Sequence, residues 1–252
     1  MTPVVLTTRP VEDAERDCSY LNAQGVLALS SPMLEIKDCP FTLPPLDTID
    51  AVVLTSRHAA ARLEGAGLQD LPCFCVGKTT ANAAGDAGLN LIHTGPGDGK
   101  GLARLIAQHP HTSLIWPSAV DTGFDIGAAL EPEGIKTHRV SVYEAAPVAS
   151  FSPQSLEVLK SGNVRVVLAH SGRAGEHFTR MIKKEGLGHL LKTMTMIAIS
   201  ARAAGLCGTD WHSIIVVEQP RRRAMLDAAV AALNRVIHHR KRGDHGRPET
   251  ES

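Results

Sequence analysis

The chain has 252 residues, room for one large domain or two small ones, with 43% hydrophobic and 21% charged residues. Lys+Arg and Asp+Glu both number 26, so the formal charge is zero, which excludes a protein that holds nucleic acid by bulk positive charge. Aromatic residues at 4% leave little for stacking on single strands, and no stretch approaches the run of about 18 apolar residues that a membrane span needs.

In chain order, residues 3–7 read as a strand and 11–24 as a helix closed by Gly25. Residues 50–55 are a second strand, and 56–64 a helix with Ser56 as N-cap. Strands at 73–76, 89–93 and 114–116 alternate with helices at 79–87, 101–108 and 125–131. Strands at 164–169, 194–199 and 214–217, with helices at 175–185 and 221–237, continue the alternation. Such alternation argues for an α/β fold with parallel sheets covered on both faces. Eight such strands are too many for one compact sheet of this length, which favours two domains.

Residues 31–38 and 140–147 are extended, flanked by Pro32, Pro40 and Pro147, and carry no helical period. Paired, they make a two-stranded β-ladder between two similar α/β domains. The first domain is then discontinuous, 1–31 plus 149–237. The ladder takes 32–39 and 139–148, and the second domain 40–138. The segment 50–57 echoes 164–173, and 74–81 echoes 196–203, as a domain-sized duplication would at a period of roughly 115 to 125 residues. The tail 238–252 is basic, has no apolar face, and is expected to be disordered.

The loop Gly95-Pro-Gly-Asp-Gly-Lys-Gly101 invites a phosphate-binding reading, but the spacing fails. A P-loop needs glycine where Thr94 stands and a hydroxyl where Gly101 stands; a dinucleotide fingerprint needs glycine where Lys100 stands. A flexible turn is the expectation. Cys73 and Cys75 fall on one face of a strand, without a second Cys/His pair at zinc spacing, and read as buried thiols. An odd count of five cysteines argues against a disulfide framework, and the opening Met-Thr-Pro-Val-Val-Leu is unlike a secretory signal. The expectation is a cytoplasmic protein without metal or cofactor, touching neither nucleic acid nor membrane.

Four strand ends place a hydroxyl and a cation together at a helix start: Thr7-Thr8-Arg9, Thr55-Ser56-Arg57, Lys78-Thr79-Thr80 and Ser171-Gly172-Arg173. Ligands of open α/β sheets bind there, where helix N-termini offer free N–H groups. N-capping and a solvated arginine account for any one of these sites. The four together point to a ligand rich in carboxylates.

Taken in order, these residues resemble uroporphyrinogen-III synthases. The likeness covers roughly residues 3 to 236 and rests on Thr8-Arg9-Pro10, on Asp50-Ala-Val-Val-Leu-Thr-Ser-Arg57 and on Val76-Gly-Lys-Thr-Thr-Ala81. It rests also on Val142-Tyr-Glu-Ala-Ala-Pro147, on Ser171-Gly172 and on the closing helix. Two stretches depart from the family's pattern. Ile199-Ser200-Ala stands where a Gly and a Thr-Ala pair are usual, and residues 116–125 lack the usual Arg-Gly. The resemblance implies a cofactor-free, monomeric lyase that closes hydroxymethylbilane, a linear tetrapyrrole with eight carboxylates, to uroporphyrinogen III. Ring D is inverted and water is lost, in a cleft between the domains. Tyr143 would be the proton donor, or a packing residue on the ladder. Thr8, Arg9, Pro10, Thr55, Ser56, Arg57, Lys78, Thr79, Thr80, Ser171, Gly172, Arg173 and Ser200 would hold the substrate. The resemblance leaves room for one protein partner in transient contact, the upstream deaminase that hands over the unstable substrate. The rival reading is a non-catalytic two-domain module that binds a small polyanionic metabolite.

Overall fold

The computed structural model describes residues 2–244, with side chains as far as residue 237. In chain order the elements are β1 (Val4–Thr7), α1 (Val11–Ala23), β2 (Ala28–Ser30), β3 (Leu34–Asp38), β4 (Ala51–Leu54), α2 (Arg57–Ala60), β5 (Cys73–Cys75), α3 (Lys78–Asp86), β6 (Ile92–Thr94) and α4 (Gly99–Ile106). They continue as β7 (Ser113–Ala119), α5 (Ile126–Leu130), β8 (Lys136–Pro147), α6 (Pro153–Lys160), β9 (Val164–Ala169), α7 (Gly172–Lys184), β10 (Thr195–Ala198), α8 (Ala201–Leu206), β11 (Ser213–Val216) and α9 (Arg222–Asp244).

The described elements form two α/β units, one from residues 2–35 and 147–244, the other from residues 36–146. The first holds a five-stranded sheet in the order β11-β10-β9-β1-β2, so its centre joins an N-terminal strand to C-terminal ones. All its pairings are parallel. The second unit's sheet runs β3-β8-β7-β4-β5-β6, with every pairing from β8 to β6 parallel.

The central strands β1 and β4 are apolar at nearly every position and buried throughout, as strands covered on both faces must be. In the second unit the alternation is clean. Val52, Leu54, Cys73 and Cys75 join the core beneath α2 and α3. Ala51, Val53, Phe74 and Trp116 join the core beneath α4 and α5. In the first unit, Val5, Val166, Leu168 and Ile197 pack under α9 through Met225, Leu226 and Ala229. Each such large apolar side chain contributes about 1.5–3 kcal/mol on burial.

Several expectations need correction. The helix expected over 56–64 is a single turn, because the Arg62 guanidinium reaches back to the carbonyl of His58 (2.7 Å) and satisfies it as a cap would. The strand expected to stop before Pro117 continues to Ala119. Pro117 lies past the stretch paired with β4, where β7 has only β8 beside it, so its missing N–H leaves no gap. The expected pairing of the two extended segments is present, with one addition: its second strand is the end of β8, a long strand that also pairs with β7 in the six-stranded sheet. Cys39 N–H donates to Val142 O and Val148 N–H to Met33 O, an antiparallel progression along β3 and β8. β2 and α6 were not foreseen, although Ser152 caps α6 and Pro153 opens it. α9 continues to Asp244, into the expected disordered tail, and residues 245–252 lie outside the described residues.

Candidate functional site at the carboxyl ends of the strands

In the second unit, β4 ends at Leu54 and the chain turns through Thr55 and Ser56 into α2. Ser56 is extended and caps the helix, its Oγ accepting from His58 N–H at 3.2 Å. The same oxygen accepts from the Tyr143 hydroxyl at 2.8 Å. Tyr143, on β8, is 7% exposed. Its ring lies beside His58, with centroids 5.7 Å apart, and under the Arg62 guanidinium at 5.3 Å. Thr55 Oγ1 accepts from the Trp116 indole at 3.1 Å. Arg57 is half-buried rather than fully solvated. Thr55, Ser56 and Tyr143 line one cavity of about 380 Å³ together with Gly97, Asp98 and Asp121.

Lys78, Thr79 and Thr80 do not line that cavity. The cap of α3 is Gly77, which offers no side-chain acceptor to the first N–H groups. Lys78 and Thr79 are exposed and Thr80 is buried. Gly77 carries a different constraint: a Cβ there would sit 3.3 Å from Gly97 Cα. Gly97 itself has φ of 106°, a backbone that favours glycine. The glycine loop is therefore packed against the start of α3, which corrects the expectation of a merely flexible turn. Asp98 then caps α4 by accepting from Gly101 N–H at 2.8 Å.

In the first unit the strand ends are occupied by charge. Thr8 Oγ1 donates to Leu168 O at 2.7 Å and ties β1 to β9. Pro10 precedes α1 without a side-chain cap. Arg9, expected to meet substrate, pairs with Asp13 at 2.9 Å and lies 3.6 Å from Asp17. Ser171 and Ser200 are N-caps, accepting from Ala174 N–H and Ala203 N–H at 3.2 Å each. Gly172 is a packing position, since a Cβ there would meet Leu206 Cδ1 at 2.5 Å. Arg173 is exposed.

Sequence reasoning missed the centre of this cluster. Asp17 is fully buried and receives Thr7 Oγ1 at 3.1 Å and Arg222 Nε at 2.6 Å. His170, just past β9, reaches the same cluster, its Nε2 3.6 Å from Asp17 Oδ2, and neither ring nitrogen makes a hydrogen bond. Burial, with Arg9 and Arg222 nearby, pushes the His170 pKa down to about 4 against the pull of Asp17. A lone aspartate on the apolar face of α1 was the available signal.

Among the described residues, no group of three His, Cys, Asp or Glu is arranged to hold a metal ion. Cys73 and Cys75 are buried, free thiols with sulfurs 3.7 Å apart. The hydrogen bond to Cys75 and burial hold the Cys73 thiol far above the ordinary range.

The model of the family Uroporphyrinogen-III synthase HemD matches residues 17–227. The chain belongs to this family. Its fold is similar to uroporphyrinogen-III synthetase from Helicobacter pylori 26695, with TM-score 0.64 and 17% identity over 92% of this chain and 99% of that one. It is similar also to a mutant uroporphyrinogen III synthase from Thermus thermophilus, with TM-score 0.53 and 16% identity over 93% and 100% of the two chains. No curated protein sequence matches significantly. Among the described residues, no helix is long and apolar enough to cross a membrane.

Proposed function

We propose that the protein is a uroporphyrinogen-III synthase, closing hydroxymethylbilane to uroporphyrinogen III with inversion of ring D and loss of water. It acts as a cytoplasmic monomer without metal or cofactor. The observation that carries this reading, beside family membership, is the Tyr143–Ser56 hydrogen bond at the wall of a cavity that also meets the glycine loop. A phenol that already donates to a hydroxyl redirects its proton to a leaving oxygen at little cost, since one hydrogen bond replaces another. The departing hydroxyl leaves a cationic pyrrole-derived species, which Asp98 and Asp121 of the same cavity favour electrostatically. Those two carboxylates would face pyrrole N–H groups rather than the substrate's acid side chains.

The acid side chains are met elsewhere, by backbone N–H groups at helix starts. α3 supports this best, because its first turn has no side-chain cap and carries Lys78 and Thr79 on the surface. Arg57 and Arg173 add charge. Arg9 belongs instead to the buried ion-pair cluster, and its role is to hold the end of β1 in place. Because the free substrate closes to the uninverted isomer, the protein's main task is to orient the chain before it cyclises.

The test is an isomer assay. Hydroxymethylbilane is generated in situ, the protein is added, and the oxidised type I and type III uroporphyrins are separated by chromatography. Type III product that scales with protein is expected. Type I alone, from folded protein, would overturn the activity and favour the non-catalytic binding module.

A further inference from the structure

The first unit carries a second cavity, of about 720 Å³, at the amino ends of its strands. Thr195 and Ser213, which open β10 and β11 and pair in register, sit in its wall, whereas Thr8, Ser171 and Ser200 lie at the carboxyl ends. Among the described residues its charged lining is Arg165, Lys192 and Arg235, joined by His212, with no carboxylate. Three further cavities each carry acids: Asp98 and Asp121, Asp125 and Glu131, Glu12 and Glu15. In a chain with 26 residues of each sign, a wall whose described charged residues are all basic is a segregation of charge.

The other lining residues fit the same ligand. Thr195 and Ser213 share a hydrogen bond at 2.9 Å and leave lone pairs and one proton for a guest. Ile215, Ala232 and Val236 supply an apolar floor. Arg165 is the second residue of β9, Lys192 follows α7 and Arg235 lies on α9, so the cations come from separate elements, two of which, β9 and α9, share one core. Guanidinium groups suit carboxylate oxygens, and the volume suits a small organic molecule.

We infer that this cavity is a second ligand site, taking an organic di- or tricarboxylate on an apolar frame, at the opposite end of its sheet from Thr8, Ser171 and Ser200. The site stands whether or not the protein makes uroporphyrinogen III.

The probe is benzene tricarboxylate, followed by backbone amide NMR shifts on the full chain, with the uncharged benzene trimethanol and pyrophosphate as comparisons. The expected result is saturable shifts confined to residues 192–195, 212–215 and 232–236, with a Kd below about 1 mM that weakens as salt is raised. Lys192→Ala with Arg235→Ala, both at exposed positions, should weaken binding about tenfold or more at unchanged thermal stability and unchanged isomer assay. No shifts in those segments, or equal binding of the uncharged alcohol, would overturn the site. Tighter binding of pyrophosphate would overturn the apolar frame. Affinity unmoved in a folded double variant would overturn the role of the cations. A loss of isomer activity without loss of probe binding concerns the proposed function and leaves the site intact.

Discussion

At the end of β1 the cation Arg9 is held by Asp13 and Asp17, whereas at the end of β4 the hydroxyl of Ser56 is held by a phenol beside an open cavity. Both strand ends have the same sequence pattern, two hydroxyl residues followed by arginine. In the first unit α1 brings Asp17 under the turn, and α9 adds Arg222, so the charge is satisfied within the protein. In the second unit α2 is one turn long and brings no carboxylate beneath the turn, which leaves room for Tyr143. The pattern therefore marks a strand end, and the helix that follows decides whether its polar groups are paired within the fold or left beside an open cavity.

The largest expected effect lies in the closed cluster. Asp17→Ala removes the buried carboxylate that Thr7, Arg9 and Arg222 share, while Arg9 keeps Asp13 and Arg222 is half-exposed, and should cost about 2 kcal/mol in a urea titration. A loss below about 1 kcal/mol would show the cluster to be dispensable.

The same cluster predicts a pH dependence. The His170 pKa is lowered from 6.5 to about 4, so the unfolded chain takes up its proton first as pH falls. Stability present above the unfolded value is then lost progressively, up to about 3 kcal/mol, as pH falls toward the folded value. His170→Asn should flatten that slope between pH 6.5 and 4 while other acid-linked groups keep theirs. An unchanged slope would show that His170 titrates normally.

Gly172→Ala, two residues past His170 at the start of α7, should have the smallest effect, below about 1 kcal/mol. The clashing atom is the far end of the exposed Leu206 side chain, which can move aside. A larger loss in thermal melts would mean that α7 and α8 cannot adjust.

Much of this molecule was legible in sequence. Continuous apolar strands such as Ala51–Leu54 and helix stops such as Gly25, with φ of 73°, announced the alternation and the two units. Ser56, Ser171 and Ser200 were readable as hydroxyls at helix starts, and they are N-caps. What sequence did not show was the partner of each group. Nothing in Thr8-Arg9-Pro10 reveals that Asp17 lies beneath it, or that Arg222 arrives from more than two hundred residues away to complete the pair. Tyr143 was singled out as donor or packing residue, and its 7% exposure together with its bond to Ser56 gives it features of both. Lys78-Thr79-Thr80 looked like a hydroxyl cap, but Gly77 takes that position because the glycine loop must approach it closely.

The most direct test of the account is Tyr143→Phe in the isomer assay, with thermal stability measured on the same sample. The change removes one hydrogen bond to Ser56 and no packing volume, so the fold should survive with a loss of about 1 kcal/mol. With Tyr143 as proton donor, kcat should fall about tenfold or more with the variant still folded. Activity within about twofold of the parent, less than half a kcal/mol of barrier, would contradict it and return Tyr143 to the core.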